Sequence, residues 1–165
     1  MILKRVLTLL IVACAIPASA ADPPPPATGA TWQTTDQVIE QFRSDMQASP
    51  AEVMAEGLVL SSVEGANFWP MFEAFQKEHR AITEEQLRSV LQYRDVYKKL
   101  TDDDALDYVN SILKRDQRLL DLRVKYLAMF QTVVSPRIAA RAIQLDRRMG
   151  LAGQLKFSSQ VPLIP

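Results

Sequence analysis

His79 is the one imidazole and Cys14 the one thiol in the 165 residues, so few side chains can do acid–base or soft-metal chemistry. Glu78 stands beside His79, with Glu73 and Lys77 close by, and imidazole plus carboxylate can hold zinc or copper. Neighbours at i and i+1 point apart on a helix, however, and His79 continues the apolar spacing of Phe72, Phe75 and Ile82. It reads first as a core-edge histidine, with a metal-responsive sensor or buffer using His79 and Glu78 as the alternative. Met46, Met54, Met71, Met129 and Met149 fall singly at apolar positions, where thioethers fill a core. Asp102-Asp103-Asp104 and Glu84-Glu85 could suggest a cation site or a pair of catalytic acids. Carboxylates at a helix start are already accounted for by the helix dipole, and glycoside or phosphoryl chemistry needs its acids gathered in a cleft. Gly150-Leu151-Ala152-Gly153 lacks the lysine and the preceding strand of a phosphate loop. No catalytic residue and no cofactor are expected.

Charge is distributed more informatively than any motif. Residues 22 to 107 carry 16 acids and 7 bases, and residues 108 to 165 carry 3 acids and 10 bases. Antiparallel helices of opposite charge can neutralise one another side by side. The functional reading is a basic surface of Lys114, Arg115, Arg118, Arg137, Arg141, Arg147 and Arg148, joined by the indole of Trp69, facing acidic clients, lipid headgroups or a partner domain.

The elements that must position these residues are helical. Aromatic residues make up 7% of the chain and glycine contributes 5 residues, too few for the turns and strands of a sandwich or barrel. Residues 1–20 read as a secretory signal peptide: Lys4 and Arg5, an apolar run from Val6 to Ile16, and Ala18-Ser19-Ala20 before the cut. That run is too short to span a bilayer. A lipid anchor on Cys14 is the rival reading. Export places the protein in the periplasm and removes nucleic acid as a partner for the basic half. Residues 21–33 form a proline-rich linker, because consecutive prolines fix φ and remove donors. A helical domain follows over 34–156, with a first helix to about Gln47 and a short second one after Ser49-Pro50.

Two longer helices start at capping boxes, Ser61 with Glu64 and Thr101 with Asp104, whose side chains satisfy each other's free backbone donors. The first is expected to reach about Lys98, kinked at Pro70; the second ends near Val134. Ser135-Pro136 opens a last helix ending near Gly150 or Gly153, which leaves residues 157–165 as an extended apolar tail. That tail is expected to dock in a groove of its own chain or of a homodimer mate. Leu106, Leu113, Leu120, Leu127 and Val134 form a seven-residue apolar column. Beside it, Asp116 and Arg123 interrupt a second column and need partners if buried. A hairpin closed at Leu100-Thr101 sets Gln86 opposite Asp116 and Glu78 or His79 opposite Arg123. A second fold at Ser135 brings Asp146 to Arg123, which makes Asp146 its main expected partner and Glu78 the second.

The two Leu-Ser/Thr-x-x-acid helix starts, Leu60 to Glu64 and Leu100 to Asp104, resemble those of the LTxxQ-motif periplasmic proteins of the Spy and CpxP type. Glu64 and Asp104 stand where that family favours Gln, and Ser61 stands in place of Thr. A closer similarity is to a group of exported bacterial helical proteins, through Asn67 to Phe72, Tyr126 to Phe130, Arg137 to Asp146 and Val161 to Ile164. The resemblance implies a helical periplasmic protein that binds unfolded clients or a signalling partner, without nucleotide and with no catalytic residue carried over. The expectation is therefore an all-α protein of antiparallel helical hairpins, four to five helices with two long. Its role would be non-enzymatic, chaperone-like or stress-related partner binding, with no transmembrane segment.

Overall fold

The computed structural model describes residues 50–165. The expected signal peptide, Cys14, the proline-rich linker and the helix expected over 34–47 lie outside the described residues. Within them the chain is all-α: α1 (Pro50–Gly57), α2 (Ser62–Val96), a 3₁₀ turn (Tyr97–Lys99), α3 (Asp102–Phe130) and α4 (Pro136–Ser158). Both capping boxes form. The Ser61 hydroxyl accepts from the Glu64 backbone N–H while the Glu64 carboxylate accepts from the Ser61 N–H at 2.9 Å, and Thr101 and Asp104 repeat the arrangement. Ser135 caps α4 with Pro136 in its first turn, where a missing N–H costs nothing.

Helix α2 runs through Pro70 without interruption. The carbonyl that loses its intrahelical donor belongs to Ala66, and both residues are exposed, so water can satisfy it.

Helices α2 and α3 form an antiparallel hairpin, shown by paired side chains. Glu85 meets Arg118 and, two turns back along α2 and two turns on along α3, Glu78 meets Lys125. Tyr93 and Tyr108 stack near the closed end with centroids 4.0 Å apart. Toward the open end lies the main core, a ladder in which Phe68 meets Phe130 at 4.9 Å and Phe75 meets Tyr126 at 5.1 Å. Phe68, Phe72, Phe75, Tyr126 and Phe130 are all buried, each worth about 1.5–3 kcal/mol in area removed from water. Trp69 rests half-buried against this ladder, edge-on to Phe68 and Phe72.

Helix α4 closes the third side, and α1 packs on it with Met54 and Leu58 buried in the main core. Gly57 permits the close approach of α1, because a Cβ there would collide with Leu145 Cδ1.

Three boundaries and one face differ from the sequence expectation. Helix α3 ends at Phe130 rather than near Val134, its last turns tightening into Thr132 to Val134. Helix α4 does not stop at Gly150 or Gly153 but continues to Ser158, so the domain boundary at 156 and the tail from 157 move outward. The reason is Phe157, which is buried against Leu87 and Val90 of α2 in a second core cluster; that burial outweighs the roughly 1 kcal/mol helix penalty of each glycine.

The extended segment begins after Ser158 and docks on its own chain. Pro162 is buried, Val161 packs on the second cluster, and the Tyr93 and Tyr97 hydroxyls donate to the carbonyls of Pro162 and Leu163 at 3.2 and 3.1 Å. The face that differs is on α3. Its expected apolar column is largely outside, with Leu106, Leu113 and Leu120 each more than half exposed. The buried stripe is Leu119, Leu122, Tyr126 and Phe130, because the larger aromatic area there meets the phenylalanines of α2.

Candidate functional site

A cleft of about 500 Å³ opens where α2, α3 and α4 diverge between the two core clusters, with the first turn of α1 at its rim. Its apolar wall includes Val53, Leu119, Met149 and Phe157, and its polar groups are His79, Thr83, Gln86, Arg115, Arg123, Asp146 and Gln154. Two consecutive turns of α2 supply His79, Thr83 and Gln86. Arg115, Leu119 and Arg123 come from one stripe of α3, while Asp146, Gly150, Gly153 and Gln154 line the facing side of α4. The i, i+3/i+4 spacing on each helix puts these residues on inward faces.

The expected pair is made: Arg123 Nε donates to Asp146 Oδ2 at 2.8 Å, with side-chain exposures of 19% and 6%. Gly150 makes room for it, since a Cβ at that position would sit 3.3 Å from Arg123 Nη2. Glu78 is not its second partner. The Glu78 carboxylate instead accepts from Lys125 Nζ and from the Tyr126 hydroxyl, each at 2.8 Å, because Arg123 lies on the α4 side of α3 and Lys125 on the other. These hydrogen bonds hold the Glu78 carboxyl below its usual range, and burial together with the acceptor pushes the Tyr126 phenol up to about 12.

His79 is half-buried, 5.9 Å from the ring of Phe75. Burial pulls its pKa down; the Asp146 carboxylate opposes this, while Arg123 and Arg115 reinforce it. With two guanidinium groups acting on it and Glu78 engaged by Lys125 and Tyr126, the His79–Glu78 pair of the alternative metal reading is not brought together. Among the described residues no group of three or more His, Cys, Asp or Glu side chains is placed to hold a metal ion.

Gln86 and Asp116, expected opposite one another, line the same cleft, with no hydrogen bond between them. Gln86 is 7% exposed and its Oε1 has no hydrogen-bond partner. Asp116 lies 3.1 Å from Arg115 Nε as an ion pair, and the Nε–H itself has no aligned acceptor. Arg115 Nη1 donates to Gln154 Oε1. The Arg115 side chain is only 10% exposed, and burial lowers its pKa. Arg115 thus leaves the expected basic surface and enters the cleft, and Arg147 stands at the cleft's edge.

Of the other basic residues, Arg118 is engaged by Glu85. Lys114 is exposed on α3, and Arg137, Arg141 and Arg148 share one outward face of α4. Thr83 and Gln154 were not singled out in the sequence, and Gly150 and Gly153 were read as a helix end rather than as part of a site. The two glycines three apart inside an otherwise periodic helix were the available signal, since a helical glycine often marks close approach or open space.

No protein family, no curated protein and no solved structure matches the chain. No helix among the described residues is long and apolar enough to cross a membrane.

Proposed function

We propose that the chain is an exported, non-enzymatic binding protein that holds apolar, acidic segments of other proteins on the outer faces of α3 and α4. The observation that carries this reading is the exposed line Leu106, Leu113, Leu120 and Val124 along α3, each more than half accessible. A protein with well-filled clusters beneath has no structural need to display such a line, and contiguous exposed apolar surface marks interaction sites. Arg137, Arg141 and Arg148 on α4 supply charge toward which acidic segments are steered. Chaperone-like holding in the periplasm is the form this function takes, consistent with the exported helical proteins that the sequence resembles.

The test is suppression of aggregation of a chemically denatured client, followed by light scattering, at equimolar protein. Wild type should suppress it. Leu113→Asp/Leu120→Asp should lose most of the effect while retaining its helical content, because both side chains are already in solvent. A wild-type chain without effect, or a variant as effective as wild type, refutes the reading.

A further inference from the structure

The cleft between the core clusters has a feature that holding proteins on outer faces does not use. Gln86 Oε1, on a buried side chain, has no hydrogen-bond partner, and Arg115 Nε, on a largely buried one, has only the misaligned Asp116 Oδ1 at 3.1 Å; both line the same space. A buried acceptor or donor left unsatisfied costs about 1–3 kcal/mol, and such groups are normally paired by protein, water or ligand. Here one is an acceptor, which needs a donor. The other is a cationic donor paired only with a mostly solvated carboxylate that is out of line for a hydrogen bond, and it favours an aligned, charged acceptor. The cleft is also electropositive: four arginines (Arg80, Arg115, Arg123, Arg147) face two aspartates (Asp116, Asp146) around it. Asp146 is committed to Arg123, and Asp116 is more than half exposed. Val53, Leu119, Met149 and Phe157 make the rest of the lining apolar, and the volume falls in the range of small-molecule sites.

We propose that this cleft binds a small amphiphile with a carboxylate head, an N–H or O–H next to that head, and an apolar chain. The carboxylate accepts from Arg115. The neighbouring donor engages Gln86 Oε1. The chain runs along the wall of Leu119, Met149 and Phe157. Gly153 lines the cleft, and a Cβ there would meet no atom within 4 Å, so a side chain at this position has open space. Neither the ligand nor the site depends on partner holding by the outer faces.

Isothermal titration of the full chain with N-octanoylglycine, its methyl ester, decanoate and inorganic phosphate tests the assignment. N-Octanoylglycine carries the carboxylate, the adjacent N–H and the chain. It should bind with a Kd of roughly tens to hundreds of micromolar, as ordinary ligand efficiency gives for a molecule of this size. The methyl ester should bind at least about tenfold more weakly, the value of a charge-assisted hydrogen bond, and phosphate should not compete. Arg115→Gln should lose about tenfold for both carboxylates. Gln86→Leu should weaken N-octanoylglycine several-fold and leave decanoate unchanged. Gly153→Trp fills the cleft without disturbing a packed side chain and should abolish binding with thermal stability retained, so the proposal stays testable if Arg115→Gln misfolds. No binding of N-octanoylglycine, equal binding of acid and ester, phosphate binding as tightly as the amphiphile, or full binding by Gly153→Trp would overturn it.

Discussion

Removing either partner of the Arg123–Asp146 pair should give unequal losses, and the inequality follows from burial. The Asp146 side chain is 6% exposed and that of Arg123 19%. Arg123→Leu leaves a carboxylate inside the helix interface with no cation, the case in which breaking a buried pair costs about 3–5 kcal/mol. The residual exposure of Arg123 places the loss near the low end, about 3 kcal/mol. Asp146→Leu leaves instead a guanidinium already close to solvent on a flexible stem. It can turn outward beside Gly150, so about 1–2 kcal/mol should be lost. Urea denaturation of the two single variants and the double variant measures both costs and their coupling.

His79 provides an independent readout on the same pair, since the chain has a single His and its imidazole gives one proton-resonance titration. Asp146 raises the His79 pKa and Arg123 lowers it. Asp146→Asn should therefore move the titration further down and Arg123→Gln should move it up. Shifts in the same direction, an Arg123→Leu cost below about 1 kcal/mol, or purely additive single effects would show that the three groups do not share one low-dielectric site.

Further expectations follow from the two clusters and the docked end. Phe72→Ala should cost about 3–5 kcal/mol by the cavity it leaves in the aromatic ladder, read from chemical denaturation; a loss under about 1 kcal/mol would mean that the ladder does not carry the core. Deleting residues 161–165 uncovers Leu87 and Val90 and removes the acceptors of Tyr93 and Tyr97. About 2 kcal/mol should be lost, a fall of several degrees in Tm by calorimetry, and an unchanged Tm would mean that this contact contributes nothing. Because burial lowers the His79 pKa from its ordinary 6.5, the unfolded chain binds the proton more readily. Stability should therefore fall as pH drops from about 6.5 toward the lower folded value. His79→Gln should flatten that part of the pH profile, and an unchanged profile would show that the ring is not desolvated.

Local signals carried the architecture because their physics is local. A capping box is completed within four residues, so Ser61 with Glu64 and Thr101 with Asp104 could be read without knowing what the helices pack against. The hairpin register followed from the tight connection between α2 and α3, and it brought Asp146 to Arg123 by geometry alone. Helix ends and helix rotation are different. Whether α4 stops at Gly150 depends on what Phe157 finds when the helix continues, and it finds Leu87 and Val90, some seventy residues earlier in the chain. The face that α3 buries depends on which of two apolar stripes meets the larger partner surface. The seven-residue column of leucines and the stripe of Leu119, Leu122, Tyr126 and Phe130 are both regular, but the second carries the aromatic rings that match Phe68, Phe72 and Phe75.

That choice of face also sets where chemistry can occur. Rotating α3 to bury its aromatics turns Arg115 and Arg123 toward α4 together, one at a position read as surface charge and the other at a position read as a register pin. Only Arg123 finds a carboxylate committed to it. Arg115 finds Gln154 through one nitrogen and the largely solvated Asp116 near another, facing Gln86 from the opposite helix of the hairpin. A basic residue drawn inward without full neutralisation costs stability that a leucine at position 115 would spare. The surrounding wall could accept such a leucine, since Leu119 stands one turn away on the same stripe. Arg115→Leu should accordingly keep or raise Tm while removing the affinity for carboxylates. A variant that is less stable by more than about 1 kcal/mol would instead make Arg115 a structural cation, held for the packing of α3 on α4 rather than for a ligand.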